Sequence, residues 1–103
     1  MRGRNRLLMA TLFATVMLAQ PAVAQNVGAG HRIAKSRCSD CHEIGKAQVQ
    51  NVVSPPFAEI ARMPSTTVIS LNVFLRTPHN RMPDYRLTRR EIADVSAYIL
   101  SLK

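Results

Sequence analysis

Five residues, Cys38-Ser39-Asp40-Cys41-His42, constrain this chain more than any others. Their spacing, C-x-x-C-H, is the attachment signature of a c-type haem. Each thiol can bond to one vinyl-derived carbon on the porphyrin edge. The two residues between them let the backbone turn from one point to the other. The residue that follows, His42, is then placed to aim its imidazole at the iron. Three other readings of a cysteine pair fit less well. A thioredoxin-type C-x-x-C belongs beside a βαβ pattern, and no strand pattern appears here. A structural zinc site needs four ligands, usually as two pairs, and these are the only two cysteines in the chain. A plain disulfide suits an oxidising compartment but gives no role to a His directly after the second Cys.

The 103 residues divide into two compositions. Arg2, Arg4 and Arg6 make a positive start, and no acidic residue occurs before Asp40. Leu7 to Ala19 follows as 13 residues without charge, then Gln20-Pro21 and a small-x-small site at Ala22-Val23-Ala24. This is the pattern of a secretory signal peptide cleaved after Ala24. The alternative is an uncleaved anchor, but a spanning helix needs roughly 17–25 apolar residues. Residues 25–103 are then one exported domain of 79 residues.

Without residues 1–24, the 14 Lys and Arg lose three arginines, leaving 11 against six acids, a net charge of +5. Two ionised propionates would lower it to about +3. A mildly basic surface suits redox partners with acidic docking faces. Nucleic acid is not an expected partner, because no Lys/Arg stripe with interleaved aromatics and no nucleic-acid module is present. Below about 80 residues a hydrophobic core alone seldom holds a fold. With no Trp and five aromatics, one of them in the leader, this domain needs a staple. A covalent porphyrin supplies apolar mass and a cross-link together.

The pattern along the chain is all-α: three main helices plus a short helical piece, wrapped around one covalently bound haem. Residues 25–30 read as a loose entry. The first helix is predicted from Ala29 to Arg37, with Ile33 and Ala34 inward and His31, Arg32 and Lys35 in water. Gly30 inside it reads equally well as a close helix approach or a frayed start. Residues 43–53 read as loop, and Ser54-Pro55-Pro56-Phe57 as a rigid extended turn. Phe57–Arg62 is the short helical piece, broken at Pro64-Ser65. The second main helix is predicted from Thr66 to Arg76, with Val68, Leu71 and Leu75 on one face and Phe74 on the flank. Residues 79–85 form an irregular loop. Thr88-Arg89-Arg90-Glu91 fits a capping box. After it, Ile92, Val95, Ile99 and Leu102 repeat at helical spacing.

For the distal iron ligand the candidates are Met82, Met63, His31 and His79, or an open site. Met82 is favoured, because it lies in a loop too irregular for core duty and stiffened by Pro78 and Pro83. Met63 reads as ordinary packing beside a short helix. His31 points to solvent. A carbonyl on the 54–56 turn suits the Nδ1–H of a ligating His, although a turn that only redirects the chain fits these residues equally.

Taken together, these residues resemble class I cytochrome c in its small exported bacterial form. The resemblance rests on Cys38-Ser39-Asp40-Cys41-His42, Pro55-x-Phe57, Leu75-x-Thr77-Pro78, Asn80-Arg81-Met82-Pro83 and residues 92–102, and covers all of 25–103. It implies one haem c joined through Cys38 and Cys41, its iron held by His42 and Met82. It places the haem-wall proline, whose carbonyl accepts from the proximal His, at Pro55. It makes Gly30 and Tyr98 the glycine and aromatic where the terminal helices cross. Compared with the longer mitochondrial-type pattern, the Met loop is short, no Trp is available for a propionate, and Ala34 stands where an aromatic is common. The implied function is a one-electron carrier, not an enzyme, working as a monomer between periplasmic or membrane-bound redox partners, with Lys46, Arg81 and Arg86 ringing the exposed haem edge. Contact with a membrane would come only through partners unless the leader is retained. The alternatives are a haem subunit dedicated to a periplasmic dehydrogenase or oxidase, and a gas-binding or peroxidase-like haem protein.

Overall fold

The computed structural model describes residues 24–46, 54–77, 79 and 82–103. The leader up to residue 23, the loop 47–53, and Pro78, Asn80 and Arg81 lie outside the described residues. Among those described there are four helices and no strand: α1 (Val27–Arg37), α2 (Phe57–Arg62), α3 (Val68–Phe74) and α4 (Arg89–Leu100). The all-α expectation of three helices plus a short piece is met.

Helix α1 starts two residues earlier than its sequence pattern suggests. The Asn26 side chain accepts the Ala29 N–H at 2.8 Å. That N-cap satisfies one of the orphan amides of the first turn and turns the supposed loose entry into helix. Lys35 and Arg37 in the last turn suit the negative end of the helix dipole. Gly30 and Ala34 are the buried residues, and His31, Arg32 and Lys35 face water as expected.

Helix α4 has the capping box that its sequence announces. The Glu91 N–H donates to the Thr88 hydroxyl at 3.2 Å, and the Thr88 N–H donates to the Glu91 carboxylate at 2.8 Å. Hydrogen bonds from Thr88 are the main reason that the Glu91 carboxyl is held below its ordinary value. Ile92, Val95, Ile99 and Leu102 are all buried, Leu102 just beyond the last helical residue. Asp94, Ser96 and Tyr98 are buried too. Helix α4 is therefore covered on more than one face: α1 makes the largest contact with it, and α3 and α2 close other sides.

The α1–α4 crossing is close because Gly30 has no Cβ. A Cβ there would run into the Asp94 backbone carbonyl and come within 2.8 Å of the Tyr98 Cβ. Of the two readings of Gly30, close approach is the right one. The Asp94 carboxylate accepts the Asn26 N–H at 2.8 Å, so the start of α1 is bonded across the crossing. An Arg37–Glu91 pair at 3.4 Å also bridges the two helices. Both partners are partly solvated, and such a pair contributes little.

Helix α3 is shorter than the predicted 66–76. Thr67, not Thr66, is its N-cap, in a reciprocal arrangement with Ser70 that the sequence reading missed. At the other end the ladder tightens after Phe74: Arg76 and Thr77 donate three residues back. The predicted inward face also needs correction. Leu71 is buried and Leu75 half-buried, but Val68 is 41% exposed. Seven residues make about two turns, and Val68 lies a full turn before Leu71, beyond the part that rests on the core. Helix α2 keeps its predicted bounds and buries Phe57, Ala58 and Ala61.

Candidate haem-binding site

The sequence-predicted site residues fall into two groups. Cys38, Cys41, His42 and Pro55 come together on one side, and Met82 stands in the loop before α4.

Cys38 caps the C-terminus of α1, and its N–H still bonds to the Ala34 carbonyl at 2.9 Å. The chain then folds back on itself. Cys41 and His42 both donate their N–H to the Cys38 carbonyl, at 3.2 and 2.9 Å. This turn gives the C-x-x-C-H its shape. Cys38 is buried, Cys41 exposed, and no disulfide joins them. Burial pushes the Cys38 thiol above its ordinary pKa, with Arg37 pulling weakly the other way.

His42 Nδ1 lies 2.7 Å from the Pro55 carbonyl oxygen. A carbonyl only accepts, so Nδ1 carries the proton and Nε2 keeps its lone pair. A ligating His is usually held in this way, with its second nitrogen committed to an acceptor. Pro56, the N-cap of α2, follows at φ −59°, set by its ring, and ψ 146°. The Phe57 N–H donates to the Glu43 carbonyl at 2.9 Å, joining the turn to the residue after His42. The Phe57 ring packs against the His42 imidazole with centroids 5.2 Å apart. Both contacts fix the ring, and only their neighbourhood, not their geometry, could be read from Pro55-x-Phe57.

The segment after His42 is tied to α4. The Tyr98 hydroxyl donates to the Ile44 carbonyl at 2.7 Å. Burial, helped by the Glu43 charge, raises the Tyr98 pKa. The family resemblance implies Tyr98 at the helix crossing but not its reach to the haem motif.

Met82 lines a cleft with Leu75, His79, Tyr85 and Leu87. Its N–H donates to the His79 carbonyl at 3.2 Å, closing a tight turn. Beyond it, the Arg86 backbone takes a φ of 47°, and its N–H donates to the Asp84 side chain at 3.0 Å. This local bond lets a non-glycine residue hold a left-handed conformation. Met63 is exposed at the end of α2 and lines no part of that cleft. His31 stacks on Tyr98 with centroids 5.0 Å apart. Arg81, one of the basic residues expected around the haem edge, lies outside the described residues; Lys46 and Arg86 are exposed.

The donor set thus fits a c-type haem: two thiols on one turn, an imidazole whose Nδ1 is committed to a carbonyl, and a thioether lining a cleft. Comparison with known proteins agrees. The chain is 40% identical over 83 residues to cytochrome c-552 of Bradyrhizobium diazoefficiens, a match spanning 80% of each protein. The chain is a small class I cytochrome c. No family model matches the chain, and no solved structure matches it. As a member of the family this cytochrome carries covalent haem c with its iron and is an electron carrier. Among its described residues, no helix is long and apolar enough to cross a membrane.

Proposed function

We propose that this cytochrome is a one-electron shuttle between periplasmic or membrane-bound redox partners, with its haem joined through Cys38 and Cys41 and its iron held by His42 Nε2 and Met82 Sδ. The observation that carries this reading is the 2.7 Å bond from His42 Nδ1–H to the Pro55 carbonyl. It fixes the tautomer that leaves Nε2 as a ligand, directly after the second cysteine. Bound there, the haem supplies exchange of one electron between ferric and ferrous iron. Pro55 and Phe57 hold the His42 ring still, so little rearranges when the charge changes. As the second ligand, Met82 would exclude small molecules from the iron and raise the potential relative to two nitrogen ligands.

Residues 1–24 act as a cleaved export signal in this reading, and 25–103 as a monomeric carrier. Its net positive charge favours brief complexes with acidic faces.

Two measurements test it. The weak absorption band near the red edge of the visible, given by a sulfur–iron bond, disappears in Met82→Ala and persists in Met63→Ala. Persistence in Met82→Ala would sink the ligand assignment. Reduction by the physiological donor slows as salt is added. A rate indifferent to ionic strength would remove the acidic docking face.

A further inference from the structure

The turn that presents Met82 presents a second iron donor beside it. His79 and Met82 form an isolated antiparallel bridge, so their side chains leave the turn on the same side. His79 Nε2 stands 3.1 Å from Met82 Sδ. The imidazole is held from two other directions. Its Nδ1 lies 2.8 Å from the Thr77 carbonyl oxygen, and its ring lies on Phe74 with centroids 3.7 Å apart. The Thr77 carbonyl only accepts, so Nδ1 is the nitrogen that donates there. A thioether sulfur and an imidazole nitrogen are thus set side by side. Both are good ligands for iron. The bond to Thr77 also repeats what the structure does at His42, where Nδ1 is committed to the Pro55 carbonyl at 2.7 Å. Both histidines have the carbonyl partner typical of a metal-binding imidazole.

We propose that His79 is a reserve axial ligand: when the Met82 thioether leaves the iron, His79 Nε2 takes its coordination position. The proposal rests on Met82 being the distal ligand. The step is a substitution: the Fe–S bond breaks, an Fe–N bond forms from the Nε2 lone pair, and the proton stays on Nδ1 against Thr77. No electron is transferred. Because one turn carries both donors, the exchange needs a shift of about the distance between them, without unfolding of α3 or α4. Loss of the thioether then gives a cytochrome with two nitrogen ligands and a lower potential, instead of an open site that binds gases. Thr77 and Phe74 are positioning residues for this second state.

The test uses holoprotein carrying Met82→Leu, alone and combined with His79→Leu. Electron paramagnetic resonance of the ferric forms should show low-spin iron in the single variant and high-spin iron in the double. Carbon monoxide should bind the reduced single variant more weakly than the double, by about tenfold or more, because His79 competes for the site. A high-spin single variant overturns the proposal, and so does a double variant as low-spin as the single. If Met82→Leu fails to mature, chloramine-T, which transfers oxygen to thioethers, is applied to the assembled wild-type and His79→Leu proteins. Once the sulfur–iron band is gone, the wild type should be low-spin and His79→Leu high-spin, and matching spectra overturn the idea. A wild type that lacks the band from the start reports failure of the Met82 assignment instead.

Discussion

The α1–α4 crossing and the α3–Met82 region are built in opposite ways. At the crossing, side chains from both helices meet without slack. Ala34 and Val95 are buried, Gly30 lets backbone touch backbone, and the Asp94 carboxylate binds the Asn26 amide. Helix α3, by contrast, fully buries only Leu71, while Ile69 is 77% exposed, Val73 60% and Phe74 54%. The Met82 turn is held by short local bonds, from Met82 to His79, from His79 to Thr77 and from Arg86 to Asp84. One half is specified by long-range packing. The other is specified by local turn chemistry that aims donors into a cleft. Stability should therefore reside at the crossing and ligand chemistry in the turn.

This contrast has measurable consequences. The largest lies at Gly30. Gly30→Ala forces a Cβ against the Asp94 carbonyl, a backbone atom that cannot rotate away. Denaturant unfolding of the holoprotein should show a loss of about 3 kcal/mol, the upper end of ordinary overpacking. A variant as stable as wild type would mean that the helices do not cross so closely.

A smaller effect is expected at Tyr98, where the crossing reaches the haem motif. Tyr98→Phe removes the donor to the Ile44 carbonyl and should cost about 1.5 kcal/mol, since that acceptor is left partly buried. The pH dependence has a definite sign. The folded Tyr98 pKa is raised, so the protonated hydroxyl favours the folded state. Its contribution is complete below the ordinary tyrosine pKa and is lost as pH rises through the folded value. The stability advantage of wild type over Tyr98→Phe should therefore shrink as pH rises through that range. A gap unchanged across that range would detach the hydroxyl from stability.

The smallest effect belongs to α3. Ile69→Ser and Val73→Ser alter exposed side chains, and each should change unfolding free energy by no more than about 0.5 kcal/mol. Losses as large as that at Gly30 would erase the difference between the two regions.

Much of the site could be read directly from residue order. Cys38, Cys41 and His42 need only sequence spacing, and Thr88 with Glu91 needs only the reciprocal cap three residues apart. The bounds of α2 follow from prolines on either side. Other features were not legible for physical reasons. Asn26 gives no cap signal in the sequence, because no periodic apolar run begins beside it. The Thr67–Ser70 box was missed because Ser at the third position is a weaker signal than Glu. Val68 was placed inward because periodicity fixes a face but not how much of that face the core reaches.

The sequence by itself determined the helical class of this cytochrome and pointed to its haem attachment, because a C-x-x-C-H spacing and helix caps act within four residues along the chain. Only the tertiary structure decided between readings that such short-range signals leave equal. It gave contacts to two implications of the family resemblance, Gly30 at the helix crossing and the Pro55 carbonyl on His42, and added that His79 stands beside Met82. The first two are contacts between segments far enough apart that the fold, and not the local chain, sets their distance. The third depends on which way a turn throws its side chains, which backbone geometry decides and residue identity alone does not.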